Sequence, residues 1–294
     1  MRAGLIASNS ARAIAVSPLM DAASRLPKRE QSSFLYGFLL LPREQREAMR
    51  RIYDFCRFTD DLVDESSEGS ATSAIAAWRE DVERCYASQP SHPILQRLAP
   101  VVQRYDIPKH YLTTLIDGVE MDLRHSRYQT FENLEAYCYA VASVVGLMSI
   151  EVFGYESENT PKYAVALGKA LQLTNIIRDL RVDADMGRIY LPLEDLRRFE
   201  YSEVELLRGV YNPQFVALMK FEAARARQYY SLASELLAPD ERRTMFPAEI
   251  MRAIYFELLQ QIELADFHVF DRRVRVSTHR KLLLALRHWS ARYF

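Results

Sequence analysis

Residues 167–192 read LGKALQLTNIIRDLRVDADMGRIYLP. Leu173, Ile176, Ile177 and Leu180 recur at the three- and four-residue steps of one helix face, so this is a buried helix and not a strand. The pattern opens at Thr160-Pro161 and breaks at Gly187 and Pro192, which predicts a helix over residues 161–184. Within it Asp179 and Asp183 stand one helical turn apart, on one face, with Cβ atoms about 5–6 Å apart. Residues 53–65, YDFCRFTDDLVDE, repeat the device. There Asp60 pairs with Asp64 and Asp61 with Glu65, among Phe55, Phe58, Leu62 and Val63.

Helical periodicity extends outward from these two stretches to everything after residue 30. Ser32 and Ser33 precede an apolar run over residues 34–41, which Pro42 stops. Pro42 suits the first turn of the next helix, which runs on to Ser66, Ser67 and Gly69. Further helices are predicted over residues 70–88, 92–104, 109–124, 131–153, 212–236, 247–269 and 278–292, with Pro108 and Thr130 as punctuation. Residues 186–196, MGRIYLPLEDL, are predicted to be non-helical. Alternating strand patterns, internal repeats and low-complexity linkers are absent. The length of 294 residues would suit two domains by size alone, yet no shift in composition marks a boundary. The expected fold class is therefore all-α, a single-domain bundle of about ten helices. Residues 1–28 are expected to be a poorly ordered N-terminal extension and residues 29–294 the domain.

Composition narrows the function. With 49% apolar and 26% charged residues the chain is neither disordered nor fibrous. Nine glycines are too few for a large strand-and-turn protein or a glycine-rich nucleotide loop. A net charge of -1 offers no basic field for a nucleic-acid backbone. Arginine makes up 32 of the 38 basic residues and supplies planar donors suited to phosphate. Cys56, Cys85 and Cys138 lack zinc spacing and cannot all pair, so a reducing, cytoplasmic setting is expected. The longest uncharged apolar run, residues 136–150, has 15 residues where a bilayer span needs about 20, and is predicted to be a core helix.

Like charges one turn apart destabilise a helix by a few tenths of a kcal/mol. A hard divalent cation offsets that cost, and Mg²⁺ takes carboxylates together with water and substrate phosphate oxygens. One such pair has an ordinary explanation as a solvated acidic face. Two pairs on strongly apolar helices, with Arg57 before Asp60 and Arg178 beside Asp179, suit a metal-diphosphate: acids for the metal, guanidinium for phosphate oxygens.

Four segments together carry a resemblance: SSFLYGFLLLP (32–42), IYDFCRFTDDLVDE (52–65), YCYAVASVVGLM (137–148) and the stretch 167–192. In this order they resemble the squalene/phytoene synthase family, head-to-head prenyl transferases that condense two prenyl diphosphates through a cyclopropyl intermediate. The likeness runs from about Ser32 to Leu286. It implies an isoprenoid-synthase bundle with a deep central cavity. It implies Asp60, Asp64, Asp179 and Asp183 as Mg²⁺-binding carboxylates, Mn²⁺ being a substitute, with Asn175 assisting. Arg57, Arg178 and Tyr255 match positions that engage diphosphate, and Ser33 matches the N-terminal diphosphate-side position. Tyr53, Phe34 and Phe38 match residues lining the reactive end of the pocket, which Gln172 also faces. Tyr128 falls at a recurrent family position near the cavity mouth, and His125 is expected at the surface. The chain departs from the pattern at Arg29-Glu30-Gln31-Ser32-Ser33-Phe34, where some members carry a His or Lys just before the Ser-Phe pair.

Within the family, residues 267–289, FHVFDRRVRVSTHRKLLLALRHW, look most like bacterial enzymes that make presqualene diphosphate from two farnesyl diphosphates. The alternatives are phytoene synthase, acting on two geranylgeranyl diphosphates, and dehydrosqualene synthase. No NADPH-binding signature is found, and NADPH is not expected for the first half-reaction. Head-to-tail elongases and terpene cyclases lack the surroundings of these aspartates, and a non-catalytic descendant serving as an assembly protein would have lost them. Expected partners are prenyl diphosphates and later enzymes of the same route, with no nucleic acid. Leu282, Leu283, Leu286 and Trp289 form a stripe ringed by Arg280, Arg287, His288 and Arg292, with Arg272, Arg273 and Arg275 upstream. That pattern suits peripheral contact with the inner face of a membrane, in competition with packing on the bundle.

Overall fold

Pro42 ends one short helical turn and begins α1 (Arg43–Asp64) in the computed structural model, which describes residues 37–64 and 68–290, the side chains of 64 and 68–70 excepted. Met49, Ile52 and Phe55 turn one face of α1 into the core, as the spacing of its apolar residues requires. The chain continues through α2 (Glu68–Tyr86), α3 (Pro93–Arg104), α4 (Lys109–Arg124) and α5 (Phe131–Cys138). Pro108 and Thr130 are the caps of α4 and α5, and Thr130 closes a capping box with Asn133. A π-helical turn (Tyr139–Ser143) joins α5 to α6 (Val144–Phe153), and α7 (Thr160–Asp185) follows. Next come α8 (Leu193–Arg198), α9 (Glu203–Arg208), α10 (Pro213–Leu236), a 3₁₀ turn (Glu241–Arg243), α11 (Phe246–Leu264) and α12 (Thr278–Ser290). Among the described residues there is no strand, only an isolated bridge between Arg127 and Ile189. The all-α expectation is met.

α7 is the central helix. It packs against α10, α6, α11 and the π turn, while α6 also packs against α1. Phe131–Phe153 is long and apolar enough by composition to cross a membrane, with mean hydropathy 1.6, but 61% of its apolar window is buried inside the bundle. The run over residues 136–150 is thus core, as its length predicts.

Three expectations need correction. The helix predicted over residues 131–153 is interrupted by the π turn, which widens where two glycines make room. A Cβ on Gly118 would lie 2.7 Å from Ala140 Cβ, and one on Gly168 would lie 2.5 Å from Ser143 Cα. The segment 186–196 is not wholly irregular, because Pro192 caps α8, whose first turn carries Glu194 and Asp195 and whose last carries Arg197 and Arg198. α11 stops at Leu264, five residues before the predicted end, since Asp266 and Phe267 take left-handed φ of 48° and 59°. The terminal stripe also divides: Leu282 is buried, while Leu283 is 56% exposed.

The back of α10 holds a buried charge cluster. Arg225 donates to Asp195 at 2.8 Å and to Glu222 at 2.7 Å, with its guanidinium 4.0 Å above the Phe131 ring. One cation serves two buried carboxylates, and burial pushes the Glu222 carboxyl up to about 8. In the unfolded chain Glu222 loses its proton near the ordinary value of 4.5. Its contribution to stability is therefore full at acid pH and is lost as pH rises towards about 8. Glu222→Gln should flatten that decline, read as urea midpoints between pH 5 and 8. Parallel wild-type and variant profiles would show that Glu222 does not keep its proton.

Candidate active site

One face of α7 carries both the walls of a cavity and the acids. Ala164, Leu167, Gly168, Leu171, Gln172 and Asn175 line a cavity with about 820 Å³ of empty space, its open mouth included. These residues follow helical spacing along about 16 Å of α7. Continuing the same stripe by one and two turns reaches Asp179 and Asp183. The other walls include Val141 and Ala142 of the π turn, Val145, Gly146, Ser149, Ile150 and Phe153 of α6, and Pro247, Ala248, Met251 and Tyr255 of α11. Phe38 closes one side, 6.5 Å from the Phe153 ring. Ser149 donates its hydroxyl to the Val145 carbonyl and Tyr163 donates its own to Glu249, so the polarity left to a ligand gathers at Gln172, Asn175 and Tyr255, and the cavity has a greasy interior and one polar end.

At that polar end Arg178 forms an ion pair with Asp179, its Nε donating to Oδ1 at 2.9 Å, and it lies within the field of Tyr255. Arg273, from the segment after α11, reaches the same Asp179 oxygen at 3.0 Å. Lys281 of α12 lies within the field of Arg178 and Arg275, and burial together with those like charges lowers its ammonium below the ordinary range. Asp183 makes no ion pair among the described residues. Burial first, then the charge of Asp179, pushes its carboxyl up to about 7, with Asp122 adding to the effect. Asp122 accepts hydrogen bonds from Tyr137 and Tyr190, both at 2.9 Å. Tyr128 stacks on Tyr190 at 5.8 Å, and its buried hydroxyl has no hydrogen-bond partner among the described residues. The turn after α7 sets this arrangement, with Arg188 N–H donating to the Asp183 carbonyl at 2.8 Å and Leu193 N–H to that of Tyr128 at 2.9 Å.

The structure thus brings together Phe38, Gln172, Asn175, Arg178, Asp179, Asp183 and Tyr255 of the expected residues. Tyr53, Arg57, Asp60 and Asp64 share one face of α1 by helical spacing. Arg57 is exposed there and pairs with Asp61 at 2.8 Å, so in this structure its partner is on its own helix. Ser33, Phe34 and the side chain of Asp64 lie outside the described residues. His125 is exposed, as expected. The spacing of motifs does not reveal Arg273, Lys281 or Asp122. Asp122 did leave a signal: it continues the buried stripe of Leu115, Gly118 and Val119, where an acid needs partners.

Two features test whether these residues suit a hard divalent cation. Asn175 Oδ1 is buried and accepts no hydrogen bond among the described residues, while its amide donates to Gln172 Oε1 at 3.4 Å. An orphaned carbonyl oxygen one turn from Asp179 is an oxygen donor awaiting a partner. Among the described residues no three acidic, His or Cys side chains converge into a closed cage. Mg²⁺ does not require one, because waters and substrate phosphates complete its shell. The donor set fits Mg²⁺ bound jointly with a diphosphate.

The family model for squalene/phytoene synthase matches residues 27–280. The chain is 40% identical to 15-cis-phytoene synthase of Synechocystis sp. over 264 residues, covering 85% of this chain and 78% of that protein. It is 38% identical to 15-cis-phytoene synthase of Synechococcus elongatus over 292 residues, covering 95% of each. Among solved structures, a dehydrosqualene synthase crystallised with a ligand superposes with a TM-score of 0.80 at 28% identity, covering 95% of this chain and 98% of that one.

Proposed function

Because the chain belongs to the squalene/phytoene synthase family of head-to-head prenyl transferases, we propose that it joins two geranylgeranyl diphosphates to form phytoene. The observation that favours this product is the 38–40% identity to two phytoene synthases across most of the chain. It outweighs the likeness of residues 267–289 to enzymes making presqualene diphosphate, which is a local one.

The α7 stripe supplies the chemistry. Asp179, Asp183 and Asn175 Oδ1, with Asp60 and Asp64 of α1, would hold Mg²⁺, which when bound neutralises charge on the departing diphosphate. Arg178, Arg273 and Lys281 present donors to the same phosphate oxygens. Arg178 and Arg273 already lean on Asp179, so an arriving diphosphate exchanges one anionic partner for another without moving an unpaired guanidinium through the site. The apolar walls from Ala164 to Leu171 hold the prenyl chain and keep water from the carbocation. Phe38 and Tyr255 offer π faces towards that positive charge. Joining two such chains to phytoene consumes no reductant, and NADPH has no part in this reading.

Incubation with Mg²⁺ and either farnesyl or geranylgeranyl diphosphate, with and without NADPH, tests the reading by mass analysis of the products. The expected result is a C40 hydrocarbon from geranylgeranyl diphosphate that is indifferent to NADPH. A C30 product from farnesyl diphosphate, with no C40 product, would return the assignment to presqualene diphosphate or dehydrosqualene formation.

A further inference from the structure

A second hollow opens on another face of the same half of α11. Its walls include Arg242 and Arg243 of the 3₁₀ turn, Glu249 and Arg252 of α11, and Arg287 and His288 of α12, around about 1140 Å³ of empty space. Tyr163, in the first turn of α7, donates its hydroxyl to Glu249 at 2.9 Å and so marks the level of this hollow along the bundle. Tyr163 also lines the prenyl cavity, about 24 Å along α7 from Asp179, so the hollow adjoins the apolar end of that cavity and not its acidic end.

We propose that this hollow is a second anion site, which takes a phosphate-bearing ligand on Arg242, Arg243, Arg252 and Arg287. Among the described residues, four guanidiniums face a single acid. Glu249 is already engaged twice, by Tyr163 and by Arg252 at 2.9 Å. Arg242, Arg243 and Arg287 form no ion pair among the described residues, whereas Arg181, Arg227 and Arg280 each have an acidic partner. Like charges gathered in a concavity raise the local potential well above that of the same charges spread over a convex surface. The geometry is also held in advance. Glu241, buried at the start of the 3₁₀ turn, accepts hydrogen bonds from the backbone N–H groups of Glu156 at 2.6 Å and Ser157 at 2.7 Å. That clamp fixes the turn carrying Arg242 and Arg243 to the segment before α7, so a ligand need not order it. Planar guanidiniums in a preset concavity match phosphate oxygens, which accept paired N–H donors. Leu283 is exposed one turn before Arg287 on α12, beside the rim. The phosphate could therefore belong to a lipid headgroup or to a soluble anion, and the test has an arm for each.

The full chain in metal-free, EDTA-containing buffer is titrated with inorganic pyrophosphate by calorimetry, and separately sedimented with vesicles of phosphatidylglycerol or phosphatidylcholine. Arg242→Gln, Arg243→Gln and Arg287→Gln are combined in one variant. A control combines Arg97→Gln, Arg197→Gln and Arg208→Gln, three exposed arginines elsewhere, to remove the same charge. Wild-type and control proteins should bind at least one probe at least about tenfold more tightly than the cavity variant, the equivalent of one lost charge-assisted contact. Pyrophosphate binding assigns a soluble phosphate, and binding to phosphatidylglycerol vesicles alone assigns a headgroup. Circular dichroism and prenyl transfer should be unchanged in the cavity variant. Equal binding by all three proteins, equal loss in the control, or no binding of either probe to wild type overturns the site.

Discussion

Asp183→Asn is expected to reduce product formation by roughly 10³-fold, the scale on which removal of one preorganised electrostatic group lowers turnover. The same change should leave the metal-free protein at least as stable as wild type. Asp183 is half-buried beside Asp179 and makes no ion pair among the described residues, so its ionised form is a burden on the apo fold. Its carboxyl lies near 7 in the folded protein, against an ordinary 3.8. Stability from its retained proton is full at acid pH and drains away as pH climbs to about 7. The variant's unfolding midpoint should therefore gain on wild type over that interval in EDTA. Asp179→Asn makes a contrast. It should also lose turnover, but it strips both Arg178 and Arg273 of their acidic partner and should lower the unfolding midpoint. Wild-type turnover in Asp183→Asn would remove this residue from the site. A fall in stability equal to that of Asp179→Asn would show that the two acids do not have the different surroundings described above.

Local rules made most of the helices legible. Repeats of three and four residues, Pro at first turns and Thr or Asn at caps are short-range chemistry, and each acts within one turn of where it is written. The stripe on α7 was legible for the same reason, since 3.6-residue periodicity carries Asn175, Asp179 and Asp183 to one face. Residues arriving from far along the chain were not. Arg273 meets Asp179 only because α11 and the segment after it fold back over α7, and no spacing within either segment records that return. The π turn at 139–143 was hidden because its cause is divided between Gly118 on α4 and Gly168 on α7. α8 and α9 have six residues each, too few for periodicity to declare itself. Product length is written in neither motif nor cap, and only similarity across most of the chain bears on it.

Gly168→Ala should be the most damaging single-methyl change in the cavity wall. A Cβ at this position would lie 2.5 Å from Ser143 Cα, 2.7 Å from Ser143 N and 2.9 Å from Ala142 C, all backbone atoms. No rotamer change relieves such a clash, so α7 and the π turn must separate by about 1 Å, at an overpacking cost of about 3 kcal/mol. Val141 and Ala142 belong to that turn and line the cavity, so the wall moves with it. Displacement on this scale away from the reacting atoms can cost about 10²-fold in rate, and turnover should fall by that much in whatever fraction stays folded. Gly146→Ala provides the graded comparison. Its Cβ would meet the Ala164 carbonyl oxygen at 3.0 Å, a contact that a few tenths of an ångström relieve. The unfolding midpoint and turnover should therefore rank wild type, then Gly146→Ala, then Gly168→Ala. The reverse order would mean that the π turn and α7 are not in the close contact that sets the width of the cavity.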